Sequence, residues 1–134
     1  MSYSVYVQKF KSGESVVVPF EQVSNVLSKY GTIGSTGAYL ELTPHRDDLC
    51  EVAILSGSVQ DGVSGISFER PVSGPLLPEV IFQLLAIPGM CFFEVDCTYV
   101  AARTDITADL PKGLVEQCKS GAVTVVSGPA ELRL

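Results

Sequence analysis

The chain holds one histidine among 134 residues, so acid–base or nucleophilic chemistry has few places to start. His45 follows Pro44 in the polar run Pro44-His45-Arg46-Asp47-Asp48, and any Ser–His or Cys–His arrangement would have to use its imidazole. No GxSxG elbow and no cysteine in a nucleophile context accompanies it, so His45 reads as an ordinary exposed loop residue. Glu94 and Asp96 lie two apart and share a face if one strand runs through both, a spacing that could divide acid and base roles. A solvated sheet end is the plainer expectation for that pair. Glu69-Arg70, adjoining Pro71, could orient an anion or simply form a surface ion pair of little energy. The residues that remain are acidic. Asp47, Asp48 and Glu51 cluster in and beside one loop, and Asp61 sits at an expected hairpin tip. Together with Glu69 and Arg70 they are the candidate partner-binding residues, because loops at strand ends carry recognition and an acidic cluster steers a basic partner. The alternative for the same cluster is a solvated loop.

Composition removes several other classes. Hydrophobic residues make up 46% of the chain and charged residues 18%, a globular balance, and the length allows one domain over residues 1–134 with a real core. A net charge of −6 opposes a nucleic-acid backbone or an anionic membrane surface as partner. No run approaches the ~18 apolar residues of a membrane span. The start, MSYSVYVQKFKSG, lacks the features of a secretory signal, which predicts a cytoplasmic protein. Cys50, Cys91, Cys97 and Cys118 form no CxxC pair. Four buried thiols are expected in place of a disulfide framework, with Cys91 and Cys97 in strands. With one histidine and no D-x-D-x-D-G loop, no metal is expected, and no cofactor.

The elements that must position these residues are organised by Leu76–Val95, LLPEVIFQLLAIPGMCFFEV. It reads as a nearly all-round apolar helix over Leu77–Ile87, with Pro78 in its first turn and Pro88-Gly89 as its stop. A strand apolar on both faces follows from Met90 to Val95. Ahead of it, Tyr3–Phe10 alternates as a strand. Ser12-Gly13 marks a turn, and Ser15–Val18 is expected to pair back. Phe20, Val23, Val26, Leu27 and Tyr30 form the stripe of an amphipathic helix beginning near Pro19, with Gly31 as its left-handed end. Thr32–Gly37 reads as a flexible small-residue loop, lacking the lysine and the following helix that a phosphate loop needs. Ala38–Thr43, Cys50–Leu55 and Gly62–Glu69 read as strands. Asp61-Gly62 is expected to be a two-residue type I′ turn, and Gly57 and Gly65 to mark bends or bulges. Beyond Val95, either Asp96 turns the chain into a hairpin with Thr98–Ala102, or one bent strand continues. Thr104–Lys119 reads as short helical pieces broken at Pro111-Lys112-Gly113, Gly121 as a stop and Ala122–Val126 as the last strand. The fold expected is α+β: a mostly antiparallel sheet of about five to seven strands, with two main helices packed chiefly on one face.

Three stretches carry a family likeness: YSVYVQKFKSGESVVVP before a helix ending in Lys29-Tyr30-Gly31; GISFERPVSGP before LLPEVIFQLLAIPGM; and AARTDITADLP before AVTVVSGPAEL. Their order resembles small bacterial proteins encoded beside secreted polymorphic or contact-dependent toxins, which look like cognate immunity proteins. The resemblance implies a cytoplasmic, non-enzymatic inhibitor that binds and occludes a basic toxin domain, and it transfers no catalytic residue. Tight inhibition needs an anchor cluster, for which Tyr39, Tyr99, Phe68 and Arg70 are candidates. The alternatives are another acidic protein–protein inhibitor or adaptor, such as a phage anti-defence protein, or a small ligand-binding domain or enzyme using Glu94, Asp96 or His45. The sequence leaves the oligomeric state open.

Overall fold

The computed structural model describes residues 3–35 and 39–133. The fold is α+β, built on an open, mostly antiparallel sheet of nine strands. That exceeds the five to seven expected, because pieces of only two or three residues, β2 (Glu14–Ser15), β8 (Val100–Ala102) and β9 (Thr124–Val125), are too short to announce themselves by alternation. The strand order is β3-β4-β5-β6-β1-β7-β8-β9, with β2 folded back on the end of β1, and among the described residues the β8–β9 pair alone is parallel.

The opening strand β1 (Ser4–Lys11) lies inside the sheet, between β6 (Gly62–Glu69) and β7 (Met90–Glu94). Its alternation explains the placement: Val5 and Val7 are fully buried on one face, while Tyr6 and Gln8 point to the other. The β1–β2 turn holds Ser12 at φ 53° and Gly13 at φ 82°, the double left-handed backbone of a tight hairpin. The Asp61-Gly62 turn proves different. Ser58 pairs with Gly62, so three residues form the loop between β5 (Val52–Ser58) and β6, and Gly62 but not Asp61 is left-handed.

Helix α1 (Phe20–Leu27) and helix α2 (Leu76–Leu84) share one face of the sheet. Val23 and Leu27 from α1 and Leu77, Val80, Ile81 and Leu84 from α2 enter the main core with Leu42, Leu55, Ile66 and Phe68. The polar stripe of α2 is held by Tyr30. Its hydroxyl donates to Glu79 Oε2 at 3.3 Å and accepts from Gln83 Nε2 at 2.6 Å. After Leu84 the helix tightens through Ile87 N–H to the Leu84 carbonyl, and Gly89 (φ 82°) turns the chain into β7. Val95 lies past the end of that strand and is 70% exposed, because the chain turns at Asp96 into the β7–β8 hairpin.

Two expectations around α1 are corrected. Gly31 is not left-handed; it opens strand β3 (Gly31–Ser35), where a Cβ would sit 2.5 Å from the Thr43 carbonyl oxygen. Close approach to β4 (Leu40–Pro44), not backbone handedness, requires glycine there. Thr32–Ser35 is therefore edge strand instead of loop, and Thr36, Gly37 and Ala38 lie outside the described residues.

The opposite face is covered at one end only. A 3-10 turn at Thr107–Asp109 and helix α3 (Lys112–Gln117) pack Ile106, Leu110, Leu114, Val115 and Cys118 against Phe10, Cys91, Val100 and Ala102. Pro111 precedes α3, so Lys112 and Gly113 lie inside that helix and do not break it. Asp105 accepts hydrogen bonds from both the backbone N–H and the hydroxyl of Thr107, which ties down the turn and holds its carboxyl below the ordinary value.

Candidate functional site

Register decides which acidic residues meet. Val52 pairs with Glu69, and the Glu51 N–H donates to the Glu69 carbonyl at 3.0 Å, so the loop after β4 and the end of β6 share one end of the sheet. Asp47, Asp48, Glu51, Glu69 and Arg70 gather there. Asp47, Glu51 and Arg70 line a shallow depression of about 380 Å³ with Arg46 and Cys50. Asp61 does not belong: it sits at the other end of the β5–β6 hairpin, on the order of 20 Å away at ~3.3 Å per residue. Its nearest described tie is local, from its own N–H to the Ser58 hydroxyl at 2.9 Å.

The cluster is less bare than its sequence implied. Arg46 Nη2 lies 2.6 Å from Asp48 Oδ2, and Arg70 Nε lies 3.2 Å from Glu51 Oε2. The Ser4 hydroxyl donates to the Glu69 carboxylate. Four carboxylates against two guanidinium groups leave the shelf negative, with Asp47 and Glu69 the two that no described ion pair neutralises. Each exposed pair stabilises the fold by ~1 kcal/mol or less, so their effect is mainly to set the shape of the potential. Arg70 is held in a left-handed conformation (φ 50°) ahead of Pro71, with its N–H on the Tyr3 carbonyl at 2.8 Å. This fixes the direction in which its side chain leaves the sheet.

The remaining candidates separate. Phe68 is fully buried and belongs to the core, so no partner reaches it. Tyr99 is half-buried against Phe92 in an edge-on contact, with the Arg133 guanidinium 5.7 Å from its ring centre. Tyr39 is 42% exposed. His45 is exposed, its Nε2 lying 3.2 Å from the Thr32 hydroxyl. Glu94 ends β7 beside the Tyr3 hydroxyl, whose pKa rises through burial and then through Glu94. Asp96 is engaged by the Thr98 N–H at 3.2 Å. Strand β7 ends at Glu94, so one strand does not carry both carboxylates and the condition for a shared strand face is not met.

Cys50, Cys91 and Cys118 are buried thiols, and Cys97 is half-buried in the turn at φ 57° rather than in a strand. Burial pushes the Cys50 thiol to about 12, aided by the charge of Glu69, and burial chiefly pushes Cys91 to about 12. At pH 8 Cys97 is expected to react first with a thiol reagent, and all four only after denaturation. A native protein in which Cys50 or Cys91 reacts as fast would contradict this packing. The same shifts predict alkaline weakening. Above the ordinary value of 9 the unfolded chain loses thiol protons that the native state keeps, so stability falls as pH rises from 9 towards 12. Urea midpoints at pH 8 and 10.5 measure it, and Cys91→Ala is expected to flatten the dependence.

One feature was missed at the sequence level. The face of β4, β5, β6, β1 and β7 that points away from α1 and α2 carries a continuous row, Glu41–Ile54–Ser67–Tyr6–Phe93, set by the cross-strand register. Alternation in each strand signals which residues share a face. It does not signal that α3 stops short and leaves this part uncovered. Among the described residues no group of three or more His, Cys, Asp or Glu is placed to hold a metal ion, and no helix is long and apolar enough to cross a membrane. No family model, curated protein or solved structure matches the chain.

Proposed function

We propose that this protein is a toxin-neutralising immunity protein, a binding module that holds a basic toxin domain in the cytoplasm and occludes it without doing chemistry on it. The observation that supports this most is the convergence of Asp47, Asp48, Glu51 and Glu69, from separate stretches of chain, on one end of a rigid sheet. Glu69 is placed by strand register, and the loop that carries Asp47, Asp48 and Glu51 is tied to it through the Glu51 N–H on the Glu69 carbonyl, so a cationic partner meets a negative field already in place. Arg46 and Arg70 within the cluster set its register, since a partner must match two positive points as well as the negative ones. Asp61, remote from this end, has no part in the site.

The test is co-purification with the product of the adjacent gene, followed by titration calorimetry. A tight one-to-one complex that silences a toxic partner is expected. Asp47→Lys should weaken it about 5- to 50-fold, mostly through slower association, and added salt should narrow the gap between variant and wild type. Absence of a complex, or affinity indifferent to both the reversal and salt, would overturn the proposal.

A further inference from the structure

The shelf at the strand ends steers, but occlusion needs a surface that buries something, and the uncovered face of the sheet has the features of one. Tyr6 and Phe93 stack with ring centres 5.6 Å apart and planes inclined by 27°, both half-buried. Beside them a trough of about 320 Å³ runs over Gly65, walled by Gln8, Ser56 and Ser67. Gly65 keeps the trough open, since a Cβ there would stand 3.1 Å from Gln8 Cγ. Among the outward positions of β1, β4, β5 and β6 the charged side chains are Glu41 and Glu69. The lysines of β1, Lys9 and Lys11, fall on the alternate positions.

The geometry points to this face as the surface that an arginine- or lysine-rich protein buries, with a cationic side chain of the partner seated in the trough against the Tyr6–Phe93 stack. Three features select that occupant. An aromatic stack attracts a cation through its ring faces. The serine hydroxyls and the Gln8 amide oxygen supply acceptors for guanidinium or ammonium protons. Glu41 at one end and Glu69 at the other add negative potential with no opposing cation among these outward positions. The same charges work against a second copy of the chain, because face-to-face pairing would set glutamates near glutamates on two molecules that each carry −6. Glu69 also links this face to the acidic shelf, so one partner can cover both. The inference rests on the proposed function and specifies its interface.

The experiment uses the full chain and the product of the adjacent gene. In the complex, hydroxyl-radical labelling of Tyr6 and Phe93 should fall several-fold relative to the free protein. Ser67→Arg, which fills the trough with like charge, should weaken binding at least 100-fold while circular dichroism and melting stay close to wild type. Should Ser67→Arg disturb folding, the labelling of wild type and the exposed-face reversal Glu41→Lys, expected to weaken binding about tenfold, carry the same test. A complex that forms, responds to Asp47→Lys, and leaves Tyr6 and Phe93 labelling unchanged would overturn this interface while leaving the proposed function standing. No complex at all would remove both. A free chain that sediments as a dimer, and becomes monomeric on Ser67→Arg, would show that a second copy occupies the face and would also overturn the inference.

Discussion

Leu84→Ala is expected to lower stability by about 3–5 kcal/mol, through lost transfer energy and a cavity that the surrounding structure fills only in part. Leu84 is fully buried, on the α2 face that also presents Leu77, Val80 and Ile81 to the sheet. Its neighbours are held from several directions: strands below, α1 alongside and Tyr30 clasping the polar stripe of the same helix. Little of that can collapse into the space a leucine leaves. Phe82, two residues earlier, should behave differently. It is half-buried, packed against the margin of the core with the Arg103 guanidinium lying 4.2 Å above its ring. Phe82→Ala is therefore expected to cost only about 1–3 kcal/mol, although in the sequence both residues belong to the same greasy run. Chemical denaturation of the two variants tests the order. An unaltered midpoint for Leu84→Ala would mean that α2 is not the centre of the core.

Gly57→Ala should be comparably damaging for a backbone reason. Gly57 sits at φ 138°, where side chains are disfavoured, and a Cβ would fall 2.0 Å from the Gly62 carbonyl oxygen. The ladder between β5 and β6 slips here, Ser56 facing Gly65 and Gly57 facing Val63, so Ser64 is the extra residue of a bulge. Gly62 in turn packs against the Val18 carbonyl, 2.8 Å from where its own Cβ would be. The strand cannot shift without disturbing the Val18–Val63 bridge. Strain and overpacking together are expected to cost about 2–5 kcal/mol. Gly34→Ala in β3 is the matched control. A Cβ there meets nothing within 4 Å among the described residues, so the change should be neutral or stabilising by up to ~1 kcal/mol. Similar losses for the two variants would show that the bulge is not the constraint.

Much of the architecture was legible because it follows from local rules. The 3.6-residue stripe of α1, the apolar run of α2 and the two-residue alternation of β1, β5 and β6 each report which side of an element is buried. Pro88-Gly89, Ser12-Gly13 and Gly121 marked turns because backbone preference is a property of the residue itself. The misassignments fall where neighbours in space override it. Gly31 was expected to end a helix by handedness, yet it is glycine because β4 lies against it. Asp61-Gly62 carries the composition of a two-residue turn, but the bulge at Ser64 shifts the register so that Ser58 pairs with Gly62 and three residues form the loop.

The acidic site shows the same division more sharply. The sequence by itself determined the stock of charges: which loops hold carboxylates, the surplus of six negative charges, and the scarcity of histidine. It could not tell that Asp61 lies at the far end of a hairpin from Glu51, or that Arg70 answers Glu51, because those facts depend on strand register. Nor could it tell that Tyr6, Ser67, Ile54 and Glu41, from four strands, share one uncovered face. Alternation settles a side chain's face only relative to its own strand. Which face meets a helix and which meets water is a property of the assembled layers, and only the tertiary structure decides it.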